Sequence, residues 1–364
     1  MKRSITILIQ LLVTGTLLWW IFHNPEKRQM MAEAMKTANW WWMLPVILSI
    51  GVTIIFQSWR WDVLLRVQDI RLRFPRVVAL NLIGAFFNLF LPGSTGGDVL
   101  KIYYAIRESP DKKMPAFLSV VVDRIMGLLA LITIAGIISI FSFSLLWGNE
   151  TTRPLLIALA FICAASVGVI LAAVLVEVFN LSRFIPKWLP LRNGVIELAS
   201  AFSTYARRPG ALLSAFILSL PGHMGLFFSF YFAAKAFGAK LAIPEIFAVL
   251  PIIQTISSLP ISLAGIGVRE QLFQVTLSAL YELPVGIGAL IGFTGFLGLA
   301  FWAVLGGLVY IFYRPSSAGA LSIEAGFQHP GISSIEKLND TLEEQSIASE
   351  EERERRASEQ QPRE

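Results

Sequence analysis

Asn88–Tyr104, NLFLPGSTGGDVLKIYY, is the stretch on which the fold turns. An apolar run reaches Leu91 and Pro92, breaks across Gly93, Ser94, Thr95, Gly96 and Gly97, and resumes behind a carboxylate, Asp98. Proline removes a donor and glycine loosens the backbone, which frees amides that hydrocarbon cannot satisfy. Such a break belongs where protein buries it or where it lines a wet cavity. A second stretch, Ser257–Glu270 (SSLPISLAGIGVRE), has the same character: Leu91, Pro92, Ser94 and Gly97 recur as Leu259, Pro260, Ser262 and Gly265 at one common offset. Two broken apolar segments in matching places of two halves point to a transporter-like site.

The rest of the chain supplies the setting. Of 364 residues, 55% are hydrophobic and 15% charged, and mean hydropathy is +0.64. Several apolar runs approach the roughly 20 residues that span a bilayer. Alternating strands of about 10 residues, the mark of a membrane β-barrel, are absent from the pattern. The class is therefore all-α, a polytopic integral membrane protein. Cys163 is the single cysteine and cannot form an intrachain disulfide. The formal charge of +5 comes largely from loops between apolar runs. That is positive-inside patterning rather than a nucleic-acid footprint, so no nucleic-acid partner is expected.

Taken in order, Ile5–Phe22 follows Lys2 and Arg3 and ends in Trp19-Trp20-Ile21-Phe22, without the small residues of a cleavage site. It reads as a retained helix with an interfacial tryptophan pair. A polar link over 23–39 leads to Trp40-Trp41-Trp42 and a helix to about Ser58. Trp59–Arg76 carries Arg60, Arg66, Arg71, Arg73 and Arg76. It reads as a cytoplasmic topology anchor, lying in the interface as an amphipathic segment or touching anionic headgroups. The first broken segment runs over about 77–106, with basic loops on both sides, which favours a re-entrant hairpin over a crossing. Met114–Trp147 reads as one long helix, Pro154–Val178 returns, and Leu181–Arg208 is a second basic loop. Ala211–Ala236 crosses, Pro244–Leu283 is the second broken unit, and Val285–Tyr313 is the last helix. The expected sum is about six full crossings plus two re-entrant hairpins in an inverted repeat, with both termini cytoplasmic. Residues 1–314 form the membrane domain. Residues 315–364, rich in Ser, Glu and Gln, read as a disordered cytoplasmic tail.

Few residues in this chain can carry chemistry. Asp98 either caps the helix after the glycine turn, or shapes an anion pocket at exposed amides and pairs with a basic residue. Asp123 and Arg124 are adjacent on one helix and do not face each other, so each needs another partner. Charges at membrane depth usually mark an interior pathway, whereas a helix that begins outside the hydrocarbon at Met114 makes the pair an interfacial anchor. Arg269 follows the second turn, Gly265-Ile266-Gly267, and offers a bidentate fork to phosphate, with Glu270 placed to hold it or to receive it when no substrate is bound; the alternative is an external-loop ion pair worth little. His223, alone on an apolar helix, reads as a hydrogen-bonded interior histidine, not a metal ligand. No P-loop, nucleophile elbow or zinc-protease motif is present, so no cofactor, no metal and no enzyme chemistry is expected.

Together, NLFLPGSTGGDVLKIYY, VVDRIMGLL and SSLPISLAGIGVREQLF resemble the flippase-like family named for the transmembrane domain of lysylphosphatidylglycerol synthases. The resemblance covers about residues 5–313. It implies translocation of a lipid between leaflets and a bacterial inner-membrane setting. The motif positions it matches are Asn88, Pro92, Gly93, Gly97, Asp98, Asp123, Arg124, Pro260, Gly265, Gly267, Arg269 and Glu270. Gly96 belongs to the same glycine turn. Where the family often shows arginine after the Gly-Gly-Asp stretch this chain has Lys101, which keeps the charge without the fork. Residues 315–364 are too short for the family's soluble aminoacyl-transferase domain, so lysyl transfer is not expected.

Two readings of function result. In the first, the chain moves an anionic phospholipid or a polyprenyl-linked lipid between leaflets, with Lys101 and Arg269 offsetting headgroup charge. In the second, it is a non-transporting membrane partner that positions a lipid-modifying or envelope-building enzyme.

Overall fold

The computed structural model describes residues 2–90, 96–178, 204–205, 207–259, 262–284 and 286–313. The tail at 315–364, most of the basic loop Leu181–Arg208, and Pro92, Gly93 and Pro260 lie outside the described residues. Residues 1–106 and 111–314 cluster as one compact unit, which holds both broken segments and the long apolar helices. Residues 107–110 are the end of one helix and the start of the next turn.

The described residues are helical and contain no strand. In order the helices are α1 (Lys2–Phe22), α2 (Pro25–Thr37), α3 (Met43–Val67), α4 (Phe74–Phe90), α5 (Gly96–Glu108) and α6 (Lys113–Phe141). Then come α7 (Phe143–Gly148), α8 (Arg153–Val178), α9 (Pro209–Ala236), α10 (Ile243–Ser257), α11 (Val268–Tyr281) and α12 (Ile287–Phe312). Four stretches of 26 to 32 residues are long and apolar enough to cross a bilayer: Trp40–Val67, Pro110–Phe141, Pro209–Ala236 and Ile287–Phe312. The hairpin arms Phe74–Leu89 and Ile243–Ser257 belong to a shorter apolar class, as do Gln10–Ile21 and Arg153–Gly168. Phe141, Phe161 and Phe312 are each more than 70% exposed. In water that would be costly; in lipid it is the ordinary condition of an outward face.

Three expectations need correction. The link over 23–39 is not loop: α2 forms because Asn24 accepts the amides of Glu26 (2.9 Å) and Lys27 (3.3 Å), with Pro25 at the first helical position. Met114–Trp147 is not one helix, because the chain leaves helical geometry at Ser142 and restarts as α7. The largest change concerns Trp59–Arg76. Its first half continues α3 without a break, and Arg60, Trp61, Asp62, Leu64 and Leu65 are buried. Arg60 thus faces protein, whereas Arg66 is outside, tied to Asp62 at 2.7 Å.

The repeat read in the turns extends to whole helices. The offset separating Leu91 from Leu259 carries α3 onto 211–235, within α9, and α4 onto 242–258, which brackets α10. It also carries α6 onto 281–309, overlapping α12. The equivalent helices α3 and α9 pack tightly and antiparallel. Trp42 stacks on Phe232, the Thr53 hydroxyl donates to the Gly222 carbonyl (2.9 Å), and Arg60 reaches Ser219. Gly225 makes the approach feasible, since a Cβ there would meet the Ser49 carbonyl and Thr53. The two halves are therefore inverted relative to each other, and each swaps a partner: α4 packs on α12, and α10 on α6.

Close packing makes one prediction immediate. A Cβ at Gly306 would overlap the Leu82 carbonyl where α12 crosses α4. Gly306→Val is expected to cost about 1–3 kcal/mol, read as a lower thermal unfolding midpoint in detergent. Gly136→Ala, which meets nothing within 4 Å, should leave the midpoint unchanged.

Candidate functional site

Where the two halves meet, near the middle of α6 and α9, lies a cavity of about 380 Å³. Its lining comes from α3 (Gln57, Arg60), both arms of the first hairpin (Asn81, Asn88, Asp98, Lys101), α6 (Asp123, Arg124), α9 (His223) and the second hairpin (Gln254, Ser257, Gly265, Arg269).

The first hairpin is shut by its own residues. The Gly97 amide donates to Asn88 Oδ1 at 2.9 Å, and the Gly84 carbonyl occupies the space a Gly97 side chain would need. Only glycine at position 97 allows α5 to lie this close to α4. That closeness sets Asp98 and Lys101 on the cavity wall. Asp98 sits in the first turn of α5 and takes the Arg124 fork in two bonds, both 2.8 Å. Bidentate pairing fixes the orientation of both side chains as well as their charge.

Deeper in, Asp123 is shared. Arg60 Nε donates to its Oδ1 at 2.6 Å, and Lys101 Nζ lies 3.4 Å from its Oδ2. All three side chains are nearly inaccessible. The Arg60 guanidinium also donates to Ser219 Oγ at 3.1 Å, and it fits beside α6 because Gly127 lacks a side chain. Lys101 Nζ stands 4.2 Å from the centre of the Trp61 ring, whose own N–H is tied to Ser119. A cation over an indole face gains about 0.5–2 kcal/mol.

Among its described residues the second hairpin turns through three with positive φ, Ala264, Gly265 and Gly267. A side chain at Gly267 would strike Leu17 of α1. The Gly267 amide donates to Glu270 Oε2 at 2.6 Å, which fixes the start of α11. The other oxygen of Glu270 takes the Arg269 guanidinium at 2.8 and 3.1 Å, and that guanidinium lies over the Phe296 ring. Ser257 Oγ, beside this turn, is buried without a hydrogen-bond partner.

Of the residues expected at a site, Asn88, Asp98, Lys101, Asp123, Arg124, Gly265 and Arg269 line one cavity. Glu270 stands behind Arg269, and Gly96, Gly97 and Gly267 shape the turns rather than the wall. Asp123 and Arg124 do find separate partners, on α3 and α5 for Asp123 and on α5 for Arg124. His223 is hydrogen-bonded inside, donating from Nε2 to the Gly127 carbonyl at 2.9 Å. Arg60 is the residue that sequence reasoning misplaced. Lys101 and Arg269 hold a relation that was overlooked, for they are equivalent under the same offset as the two turns. Comparing the charges after each turn would have found it.

Among the described residues no three His, Cys, Asp or Glu side chains converge on a metal-sized point. Both cavity carboxylates are engaged by cations. The wall is suited to taking up and releasing an anionic group.

Comparison with known proteins agrees with this architecture. A UPF0104 membrane protein of Pyrococcus horikoshii is 22% identical over 311 residues, covering 79% of this chain and 88% of that one. Residues 7–306 match the lysylphosphatidylglycerol synthase TM region, nearly all of the membrane part. The chain belongs to the lysylphosphatidylglycerol synthase transmembrane-region family.

Proposed function

We propose that this integral membrane protein moves a lipid with an anionic headgroup, an anionic phospholipid or a polyprenyl-linked lipid, between the leaflets of a cytoplasmic membrane. One observation carries the reading: Arg60, Lys101, Arg124 and Arg269 meet in a single cavity between two inverted halves, at mid-length of two long apolar helices. Charges held at such depth are costly and are kept where a polar group must pass. The headgroup occupies the cavity while the acyl or prenyl tails stay in the bilayer. Both termini face the cytoplasm in this reading, because the arginines of 66–76 and the basic loop before α9 mark that side. No covalent step is needed, and the binding energy is spent on carrying the headgroup through hydrocarbon.

The test is lipid exchange in liposomes reconstituted with purified full-length chain, using headgroup-labelled anionic and zwitterionic lipids. Arg269→Ala combined with Glu270→Ala removes one charge of each sign, so no buried ion is orphaned. Exchange is expected to fall at least about tenfold, the equivalent of ~1.4 kcal/mol of barrier. Equal rates in wild-type, doubly substituted and protein-free vesicles, with a pH gradient and polyprenyl phosphates also tried, would sink the proposal.

A further inference from the structure

The cavity's ion pairs do not balance. Arg124 is matched by Asp98 through two bonds, and Arg269 by Glu270 through two. Asp123 must serve both Arg60 and Lys101, and it serves them unequally, at 2.6 and 3.4 Å. Four cations therefore face three carboxylates among the described residues, and the formal surplus is one positive charge. Lys101 carries it. Among the described residues its longer ionic contact is supplemented by the Trp61 ring and by the more distant Asp98, whose own two bonds go to Arg124, and neither neutralises the charge.

An isolated buried charge is unstable in low dielectric, and the arrangement is complete only when something supplies the missing negative charge. The missing unit is one. A ligand with one net negative charge brings the cavity to neutrality, whereas a neutral zwitterion leaves the surplus cation and a multiply charged anion leaves a surplus of the opposite sign. The position of the two hairpin cations says where the charge lies. Lys101 and Arg269 occupy equivalent places in the inverted halves and line the same cavity. One is a point charge with three donors; the other is a planar fork. The orphaned Ser257 hydroxyl, on the wall of the same cavity, supplies a further donor.

Building on the lipid-transport reading above, we propose that the headgroup taken into the cavity carries one net negative charge in a phosphodiester held between Lys101 and Arg269, and that Lys101 sets this charge preference. Within both lipid chemistries that reading left open, it selects the monoanionic diesters. A phospholipid or a polyprenyl-linked headgroup joined through one phosphodiester satisfies the site, while a polyprenyl phosphate monoester or diphosphate overcharges it. Arg60, Asp123, Asp98 and Arg124 are the frame that keeps the surplus at one unit.

The experiment compares three lipids with identical tails: phosphatidylcholine (net zero), phosphatidylglycerol (one negative charge) and phosphatidylglycerol phosphate (the same diester with a further phosphomonoester). Retention of each by the purified full chain is measured by native mass spectrometry at equal lipid concentrations. Wild-type protein is expected to retain phosphatidylglycerol about tenfold over both others, a difference of ~1.4 kcal/mol. Lys101→Met should erase that preference in favour of phosphatidylcholine, and Lys101→Arg should keep it. Ser258→Glu, at the cavity edge, cancels the surplus without touching Lys101 and should act like Lys101→Met. Ser258→Lys should move the preference to phosphatidylglycerol phosphate. Equal retention of all three lipids by wild-type protein would overturn the proposal, as would an unchanged preference in folded Lys101→Met and Ser258→Glu proteins. The transport reading fails separately. Charge-selective retention without leaflet exchange would remove transport and leave the charge assignment standing. Exchange indifferent to headgroup charge would do the reverse.

Discussion

Asp123→Ala is expected to be the most damaging single substitution in the membrane domain, costing about 3–5 kcal/mol. The carboxylate holds Arg60 at 2.6 Å and Lys101 at 3.4 Å, and all three side chains are buried. Without it two cations lie side by side with no counter-charge. The loss should appear as reduced yield of monodisperse protein and a lower thermal unfolding midpoint. Arg60→Met in the same chain should return part of the loss, because the crowding of two cations is relieved, and a double-mutant cycle measures that coupling. Additive effects of the two substitutions would show that Arg60 and Asp123 do not depend on each other, against the 2.6 Å contact between them. Asp123→Asn keeps the volume and one acceptor, so it should fall between wild type and alanine.

Gly97→Val is expected to abolish the proposed lipid exchange and, like Gly306→Val, to lower the thermal unfolding midpoint. A Cβ at this position would overlap the Gly84 carbonyl and stand 2.8 Å from the Asn88 side chain that holds the Gly97 amide. The α4–α5 hairpin would have to open, displacing Asp98 from Arg124 and Lys101 from Asp123. Lipid exchange should drop at least about tenfold, or ~1.4 kcal/mol, while helix content measured by circular dichroism stays near wild type. Gly84→Ala makes a useful contrast. The atoms its Cβ meets most closely, at 3.0 Å, belong to the flexible Lys101 stem, so a smaller effect is expected. If both variants transported like wild type, the tight hairpin would have no part in function.

How much of this was legible depends on which physical signals a sequence carries locally. The glycine breaks were, because proline and a glycine cluster inside an apolar run would strand backbone amides if lipid surrounded them. That Asp123 and Arg124 need different partners was also readable, since neighbours on a helix point apart. The partners themselves were not: Arg60 reaches Asp123 only because α3 packs on α6 where Gly127 leaves room. Arg60 was further hidden by its company. Arg66, Arg71, Arg73 and Arg76 follow it, and a group of five arginines resembles a topology signal although the first of them belongs to the core. Helix α2 escaped notice for a related reason. Its polar residues give no apolar stripe to detect, and only Met31 is buried, so the Asn24 cap was the remaining sign.

The antiparallel embrace of α3 and α9 has a consequence for motion. Two halves with the same parts in opposite directions hold two different shapes here: one hairpin is latched across helices by Asp98 and Arg124, the other latched upon itself by Arg269 and Glu270. If each half took the shape now held by the other, the result would be a second conformer, facing the opposite leaflet and assembled from geometry already present. The hinge of such an exchange would be the seam where Thr53 meets Gly222. If the chain carries lipid as proposed, spin labels at Trp42 and Phe232, at one end of that seam, should keep their separation through the cycle, while labels on the two hairpins change theirs in opposite senses.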